Sequence, residues 1–396
     1  MNKKLVALAV AVAGALAAPA VAFAQASSIK KAPVGFDLSI YGRVNVGLDN
    51  YSATGSTAGA AADFKSRNRV YDSGSRLGLR GNLDLGGGLK PIFQIEAGVN
   101  VDAGGGAGQN TAANGSTGSL ASRDSFVGVE GGWGRVTFGR QSFFDSSGAM
   151  APHYANAQIP WTKGDRFGRV AGPGGRVSNV VAYNSPTLSG FNATLSYAPN
   201  SEAAVAGANT DASHRGVTLR YKPGVVDLQW DYAVNQAASG GANRQKNSGN
   251  KLSVGWPYAQ GALISMIWTQ NRNNDVTATP LFSALHDSVK QTALTLIWEH
   301  LFGNIQALAM YGKLNGASGC TALNGAANGC ASTDATGVML GLRYLLSKRT
   351  SAYVTYNSVS NGSNQAANYT SDGYNAGTIS PGADPRVWAV GVRHDF

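Results

Sequence analysis

Histidine is scarce in this sequence, and none of its five copies lies in a recognisable catalytic or metal-binding motif. Neither the H-E-x-x-H pair that holds zinc on a helix nor the G-x-S-x-G turn of a serine nucleophile occurs. The glycine-rich residues 172–175 lack the Lys-Ser or Lys-Thr pair that completes a phosphate-binding loop. These absences argue against an enzyme, and they predict no cofactor and no metal site. The histidines are His153, His214, His286, His300 and His394.

Long apolar runs are also missing after residue 24, and no later stretch approaches the roughly 18 apolar residues of a membrane-spanning helix. The beginning of the chain is different, because Lys3 and Lys4 precede an apolar run at residues 5–16 and the motif AFA at residues 22–24. This three-part pattern predicts a cleaved secretory signal peptide. We therefore expect a signal peptide at residues 1–24 and an exported protein at residues 25–396. The overlapping motif AQA would instead give a start at Ser27.

Cysteine is rare as well, since Cys320 and Cys330 are the only two. They do not have the C-x-x-C spacing of redox or zinc motifs. An exported protein meets an oxidising compartment, where cysteine pairs form and keep disulfides. A disulfide between Cys320 and Cys330 is therefore predicted.

Charged residues make up only 14% of the chain, and the balance is basic, with a formal net charge of +10. Removing Lys3 and Lys4 with the signal peptide leaves +8, because no acid precedes Asp37. A basic balance fits nucleic acid, an acidic surface or the passage of anions. Export excludes nucleic acid as the expected partner.

The sequence does contain strict alternation of apolar and polar residues from Asp37 onward. A period of two is that of a β-strand with one apolar face. The same alternation returns at residues 77–84 and 93–100 and recurs as far as residues 388–392. In the first run, Leu38, Ile40, Val44, Val46 and Leu48 share one face, and Ser39, Tyr41, Arg43, Asn45 and Asp49 share the other.

The connections between these runs alternate between short and long. Seven short and eight long connections predict 16 antiparallel strands, and this alternation is typical of barrels in outer membranes. A barrel of that size leaves an aqueous channel. The short connections lie at residues 84–88, 131–134, 186–190, 223–224, 259–261, 301–304 and 347–349. The long ones lie near residues 50–74, 102–122, 142–175, 199–213, 235–249, 273–288, 315–336 and 358–385.

A soluble β-sandwich also alternates polar and apolar residues. Two features favour a transmembrane barrel. Tyrosine and tryptophan recur near the ends of the apolar runs, as in the aromatic girdles of membrane barrels. The first and last elements are both strands, and in lipid they must pair so that no edge stays open. The expected girdle residues are Tyr51, Trp133, Tyr197, Tyr221, Tyr232, Trp256, Tyr258, Trp298, Tyr344 and Tyr356.

Six motifs follow one another along the exported chain: IYG at 40–42, SRLGLRG at 75–81, DLGGGLK at 84–90 leading into IFQIE at 92–96, GRVTFGRQ at 134–141, LSKRT at 346–350 and GVRHDF at 391–396. In this order they resemble the general porins of Gram-negative outer membranes, most closely the trimeric porins of betaproteobacteria. The resemblance implies an all-β, 16-stranded antiparallel transmembrane β-barrel with short periplasmic turns, long extracellular loops and an inserted third loop at about 142–175. It also implies a homotrimer in contact with outer-membrane lipid and lipopolysaccharide, and a terminal Phe396 that the outer-membrane assembly machinery reads.

Five arginines are the candidate wall of the pore constriction: Arg43, Arg76, Arg80, Arg140 and Arg220. The first three share the polar phase of the first two strands, where lumen residues tune selectivity. The alternative is that these arginines are merely solvated, or that those near strand ends bind lipopolysaccharide phosphate or a neighbouring loop. Strict alternation would place Arg140 with Val136 and Phe138, so that either a bulge intervenes or Arg140 lies beyond the membrane.

The predicted constriction loop has few acidic residues. It contains only Asp145 and Asp165, compared with the basic residues Lys163, Arg166 and Arg169. With a cationic wall opposite, this balance predicts passive diffusion of small hydrophilic solutes and ions with a modest anion preference. The lumen acids Glu96, Asp227 and Asp231 could offset it. A substrate-specific channel, or a mainly structural or adhesive barrel, is the alternative function. A sugar-specific channel would be expected to carry an aromatic ladder in the lumen, whereas most aromatic residues here fall in the outward phase.

Overall fold

The computed structural model describes most of the predicted barrel. The described residues are 35–102, 120–144, 159–162, 167, 170, 172–199, 213–236, 246–274, 288–320, 330–369 and 376–396. The predicted signal peptide, residues 1–24, lies outside them. Among the described residues, no helix has the length and apolar character needed to cross a membrane.

The described residues form an antiparallel sheet of strands in chain order, with one short 3-10 helix, Ala60–Ala62. The strands are β1 (Phe36–Thr54), β2 (Phe64–Asp72), β3 (Arg76–Leu83), β4 (Lys90–Gly98), β5 (Ser125–Gly131), β6 (Gly134–Phe143), β7 (Gly175–Asn184), β8 (Phe191–Pro199), β9 (Ser213–Tyr221), β10 (Asp227–Gln236), β11 (Lys246–Ala259), β12 (Ala262–Asn274), β13 (Val289–Phe302), β14 (Ile305–Leu314), β15 (Ala335–Leu345), β16 (Thr350–Asn361) and β17 (Asp384–Asp395).

The sheet closes on itself, because β17 pairs with β1 from Arg43 opposite Asp395 to Thr54 opposite Asp384. Strands β2 and β3 both pair with β1 and occupy one position in the barrel. Between them, Asn45 bridges the interruption: its carbonyl accepts from the Ser73 N–H, and its N–H donates to Ser75 Oγ at 2.9 Å. The barrel therefore has 16 strand positions, and the prediction of a closed 16-stranded antiparallel barrel is confirmed.

Short turns lie at one end of the barrel, the turn end, and long connections lie at the other, the loop end. This alternation is as predicted, but the first long loop is shorter than the predicted residues 50–74. Strand β1 continues to Thr54 and β2 already begins at Phe64. Near the end of β1 and the start of β2, the outward side chains are also polar. Asn50 on β1 forms hydrogen bonds with Ser66 and Asn68 on β2. With polar residues on both faces, the period of two is not visible in the sequence.

The two faces of the barrel wall are sorted as the alternation predicts. Leu38, Ile40 and Leu48 are more than half exposed on the outward face, whereas Asn45 and Asp49 are buried on the inward face. Apolar side chains on the outside and polar ones on the inside suit a sheet whose outer solvent is lipid.

Tyr51 is an exception to the predicted aromatic girdle, and that part of the prediction is wrong. Its side chain is fully buried, and its hydroxyl donates to Asn368 Oδ1 at 3.1 Å. The reason is that Tyr51 continues the inward phase of Asn45 and Asp49 on β1.

Cys320 and Cys330 are joined by a disulfide with a Cα–Cα distance of 5.4 Å. They lie in the connection from β14 to β15, at the loop end. Cys320 packs against Val170 and Val289, so the disulfide loop contacts the returning limb of the connection between β6 and β7.

Candidate pore constriction

Three of the predicted arginines lie together on the inner face of the barrel. Arg43 on β1 and Arg76 and Arg80 on β3 all project inward, and we call these three residues the arginine wall. Closure of the barrel brings β17 beside β1, so that the last residues of the chain also reach this region. The wall therefore combines residues from both ends of the sequence.

Tyr41 separates two members of the arginine wall. Its ring lies directly over Gly78, where any side chain would collide with it. Since Arg76 and Arg80 flank Gly78 on the same face of β3, the ring sits between them. The Arg80 guanidinium lies 5.0 Å from the centre of the Tyr41 ring, and the Tyr41 hydroxyl donates to Glu96 Oε2 at 2.9 Å.

Two carboxylates partly neutralise the arginines, and each is shared. Glu96 on β4 pairs with Arg123 and lies 4.0 Å from Arg76 Nε. Asp395 on β17 accepts from Arg43 Nε at 2.8 Å and from Arg393 Nε at 2.7 Å.

The contacts just described carry a positive balance, with five arginines (Arg43, Arg76, Arg80, Arg123 and Arg393) against the two carboxylates of Glu96 and Asp395. Within the described part of the chain, no carboxylate lies at ion-pair distance from Arg80, whose observed partner is the Tyr41 ring. Arg80 is therefore the member of the wall whose charge is least compensated by the protein.

Arg140 and Arg220 are not part of this cluster. Arg140 lies at a register shift between β6 and β7, where it donates to the Ser122 carbonyl and to Ser178 Oγ. The irregularity explains why simple alternation did not fix its phase. Arg220 projects inward on β9, about half of the barrel away from β1, and pairs with Asp227 close to the turn end.

The connection between β6 and β7, residues 144–174, is the predicted third loop, and we call it loop 3. At its root, the Phe143 ring stacks on His214 of β9 with centroids 4.5 Å apart. The next residue, Phe144, reaches β11: its carbonyl accepts from Lys251 Nζ, and its ring packs on Gly249. Lys251 in turn lies 3.4 Å from Asp231 Oδ2. Loop 3 thus enters the lumen along the inner wall.

Further along loop 3, a turn closed by the bond from the Thr162 N–H to the Ile159 carbonyl carries a tryptophan that packs against β14 and β15. Trp161 and Ile159 are fully buried against Gly312 of β14 and Gly337 of β15. These two glycines are cross-strand partners. A methyl group at Gly312 would come 2.6 Å from Trp161 Nε1, so the absence of side chains at this glycine notch lets the indole sit there.

The charged loop residues that the sequence singles out, Asp145, Asp165, Lys163 and Arg166, lie outside the described residues. The described parts of loop 3 fix its root at β9 and β11 and its turn at β14 and β15. The described parts of loop 3 therefore lie on the β9–β15 side of the lumen. The arginine wall lies beside β17, β1, β3 and β4.

A cavity of about 400 Å³ lies under the root of loop 3, against the inner faces of β4 to β10. Its lining is mainly hydrogen-bonding, with Gln94, Gln141, Asn184 and Thr194, and it also includes the charged Arg135 and Asp231. Such a surface can exchange hydrogen bonds with water or a polar solute.

The last long loop, residues 362–383, also folds inward at the loop end, which the sequence did not reveal. Tyr369 is fully buried, and its hydroxyl donates to the Pro385 carbonyl at 3.1 Å. Arg67 donates to the Ala376 carbonyl at 2.7 Å and lies near the rings of Tyr51 and Phe64. These contacts narrow the loop-end mouth beside β1 and β2.

Across the described ranges, no group of three or more His, Cys, Asp and Glu side chains could hold a metal ion. The chemistry that the arrangement can provide is a polar passage in which loop 3 faces a mainly cationic wall.

Comparison with known proteins agrees with this geometry. The family model described as Gram-negative porin matches residues 7–365. The major outer membrane protein P.IB of Neisseria lactamica is 28% identical over 380 residues, covering 91% of this chain and 94% of that protein. The anion-selective porin from Comamonas acidovorans has a similar fold, with a TM-score of 0.70 at 22% identity, covering 91% of this chain and all of that one. OmpT of Vibrio cholerae in its trimer form has a TM-score of 0.64 at 14% identity, with 91% and 100% covered.

Proposed function

The chain belongs to the family of Gram-negative porins, and from that premise we propose that its channel carries small hydrophilic solutes and ions by diffusion with a modest preference for anions. It is an outer-membrane channel and not an enzyme. The observation that carries the proposed preference is the excess positive charge around the arginine wall, above all at Arg80. The Comamonas acidovorans porin, which has the same fold, is anion-selective, and this supports the proposed sign.

The size of the preference follows from the environment of the charges. A pair of unit charges about 4 Å apart interacts by about 1 kcal/mol in water and by about 4 kcal/mol at an effective dielectric constant of about 20. The lumen is wet, and salt screens charges over a Debye length of about 8 Å at physiological ionic strength. A field of this strength biases permeation towards anions without excluding cations.

The test is the reversal potential of the purified protein in a planar bilayer under a potassium chloride gradient. We expect its sign to report anion preference, and the preference to weaken as salt is raised, because screening shortens the reach of the wall. A reversal potential with the sign of cation preference would falsify the proposal.

We further propose that the protein works as a homotrimer in contact with outer-membrane lipid and lipopolysaccharide. The solved trimer of OmpT, which has the same fold, supports this assembly. In this proposal the assembly machinery of the outer membrane reads Phe396. That residue continues the outward series of Trp388, Val390 and Val392 on β17 and is itself exposed.

Changing Phe396 is expected to lower the yield of folded trimer. The residue closes the barrel by two backbone bonds, from the Gly42 N–H at 3.0 Å and to the Gly42 carbonyl at 3.1 Å. Its ring covers Gly42. Deleting Phe396 removes both bonds, which together contribute about 1–3 kcal/mol, whereas Phe396→Ala keeps the backbone and removes the ring. Heat-modifiable trimer in isolated membranes, measured on gels, should fall for both variants.

Phe302→Ala is the matched control, because Phe302 is also an exposed phenylalanine beside a turn. It should leave the trimer yield unchanged. A normal yield for Phe396→Ala would show that the ring is not a recognition signal.

The signal peptide gives a further expected result. The intact mass of the protein extracted from outer membranes should correspond to a chain that begins at Gln25, because signal peptidase cleaves after the A-x-A motif. A mass that retains residues 1–24 would contradict the proposed division of the chain.

A further inference from the structure

The outward face of β14 carries a shallow groove near the turn end. Its floor consists of Ala307 and Ala309, which lie on the lipid-facing side between two rows of larger residues. On one side, Ala307 faces His300 and Ala309 faces Trp298 of β13. On the other side, the neighbours are Leu342 and Leu340 of β15. Both leucines are about half exposed, at 52% and 51%.

The ends of this alanine groove are marked by larger side chains on the same strand. Ile305 lies towards the turn and Tyr311 towards the membrane centre, and both are exposed. The six residue-to-residue steps from Ile305 to Tyr311 span about 20 Å. The groove therefore has the dimensions and the apolar walls to hold part of one acyl chain.

His300 lies at the turn-end side of the groove, beside Tyr258. The Trp298 indole N–H donates to the Tyr258 hydroxyl oxygen at 2.9 Å, and that oxygen lies 2.8 Å from His300 Nδ1. The Glu299 carbonyl is a more distant acceptor for the same hydroxyl, at 3.5 Å. In the tautomer in which Nδ1 accepts from Tyr258, the imidazole carries its own hydrogen on Nε2.

Among the hydrogen bonds of the described residues, none uses His300 Nε2. Its N–H is thus a donor without a protein acceptor, next to the aromatic rings that mark the membrane interface. The Phe302 ring lies 4.3 Å from the His300 ring between centroids, and the Trp298 ring stacks on it at 6.2 Å.

We propose that the alanine groove and His300 form a binding site for one phospholipid of the periplasmic leaflet. An acyl chain lies along Ala307 and Ala309, and the lipid phosphate accepts from His300 Nε2. The phospholipid is favoured over lipid A because the histidine is at the turn end of the barrel, which faces the periplasm. The site is on the outer wall and does not depend on the ion preference of the pore.

The test is native mass spectrometry of the detergent-extracted protein titrated with dioleoyl phosphatidylglycerol. Wild type should hold one phospholipid per chain after mild delipidation. His300→Phe keeps an aromatic ring but removes the donor, and we expect about tenfold weaker binding, or about 1.4 kcal/mol. Ala309→Leu fills the groove floor and should weaken binding comparably.

Ala193→Leu is the matched control, since Ala193 is an outward alanine on β8 between Phe191 and Leu195. It should bind phospholipid as wild type does. All variants are first checked for heat-modifiable trimer and wild-type conductance, so that a loss of lipid is not a loss of fold. Unchanged affinity in both His300→Phe and Ala309→Leu would overturn the proposal. So would co-purification of lipopolysaccharide that phosphatidylglycerol cannot displace.

Discussion

Trp161→Ala is expected to change a steady open-channel current into one that switches between levels. The indole sits in the glycine notch formed by Gly312 of β14 and Gly337 of β15. Truncating a buried tryptophan to alanine typically costs about 3–5 kcal/mol. Here the cost falls on docking of the loop, because the barrel strands keep their own hydrogen bonds. The undocked loop then samples several positions in the passage, and single-channel recording should resolve them.

The docking of Trp161 in the glycine notch can also be tested by changing a residue of the barrel. Gly312→Ala places a methyl group where Trp161 now lies, and it should reproduce the unsteady current without altering loop 3 itself. Gly316→Ala is the control, because a methyl group there meets only Thr333 Oγ1, at 3.9 Å. A steady wild-type current in both Trp161→Ala and Gly312→Ala would mean that the notch does not hold the loop.

Arg80→Gln is expected to move the reversal potential towards neutrality more than Arg76→Gln does. Arg76 shares Glu96 with Arg123, whereas the observed partner of Arg80 is the Tyr41 ring. Removing a charge worth about 1 kcal/mol to a passing anion corresponds to about a fivefold change in its partition, because 1.4 kcal/mol is tenfold. The anion-to-cation permeability ratio, measured under a potassium chloride gradient, should therefore fall most in Arg80→Gln.

The control for this comparison is Arg386→Gln, which removes the same charge from the outward face of β17 at the loop end. It should leave the permeability ratio close to that of wild type. Equal shifts for Arg76→Gln and Arg80→Gln would show that Glu96 does not compensate Arg76 in solution. No shift for either variant would place the selectivity elsewhere in the pore.

The sequence predicts the barrel well because each strand must sort its residues between lipid and water. That requirement repeats at every second position, so the inward direction of Arg43, Arg76 and Arg80 can be inferred from periodicity alone. The partners of these arginines could not all be inferred in the same way. Asp395 reaches Arg43 only because the barrel closes, and the pairing depends on the register between the first and last strands.

Three features escaped prediction for separate physical reasons. The phase of Arg140 depends on one extra residue in the partner strand β7, where Asn179 has a positive φ of 60°. The inward fold of the last loop depends on contacts such as the hydrogen bond from Tyr51 to Asn368. Loop sequences have no periodicity from which the direction of the loop could be predicted. The glycine notch requires Gly312 and Gly337 to be neighbours, which only the register of β14 and β15 establishes.

The pairing of β1 with β17 determines when the barrel can be completed. The bond between Arg43 and Asp395 joins residues 352 positions apart, and contacts so distant in sequence form slowly because a large loop must be closed first. Until β17 arrives, β1 is an open edge, and such edges pair readily with other chains. Phe396, which bonds to Gly42, belongs to the same pairing of the two strands. An assembly step that reads Phe396, as proposed above, would act only on chains that already carry the strand that covers this edge.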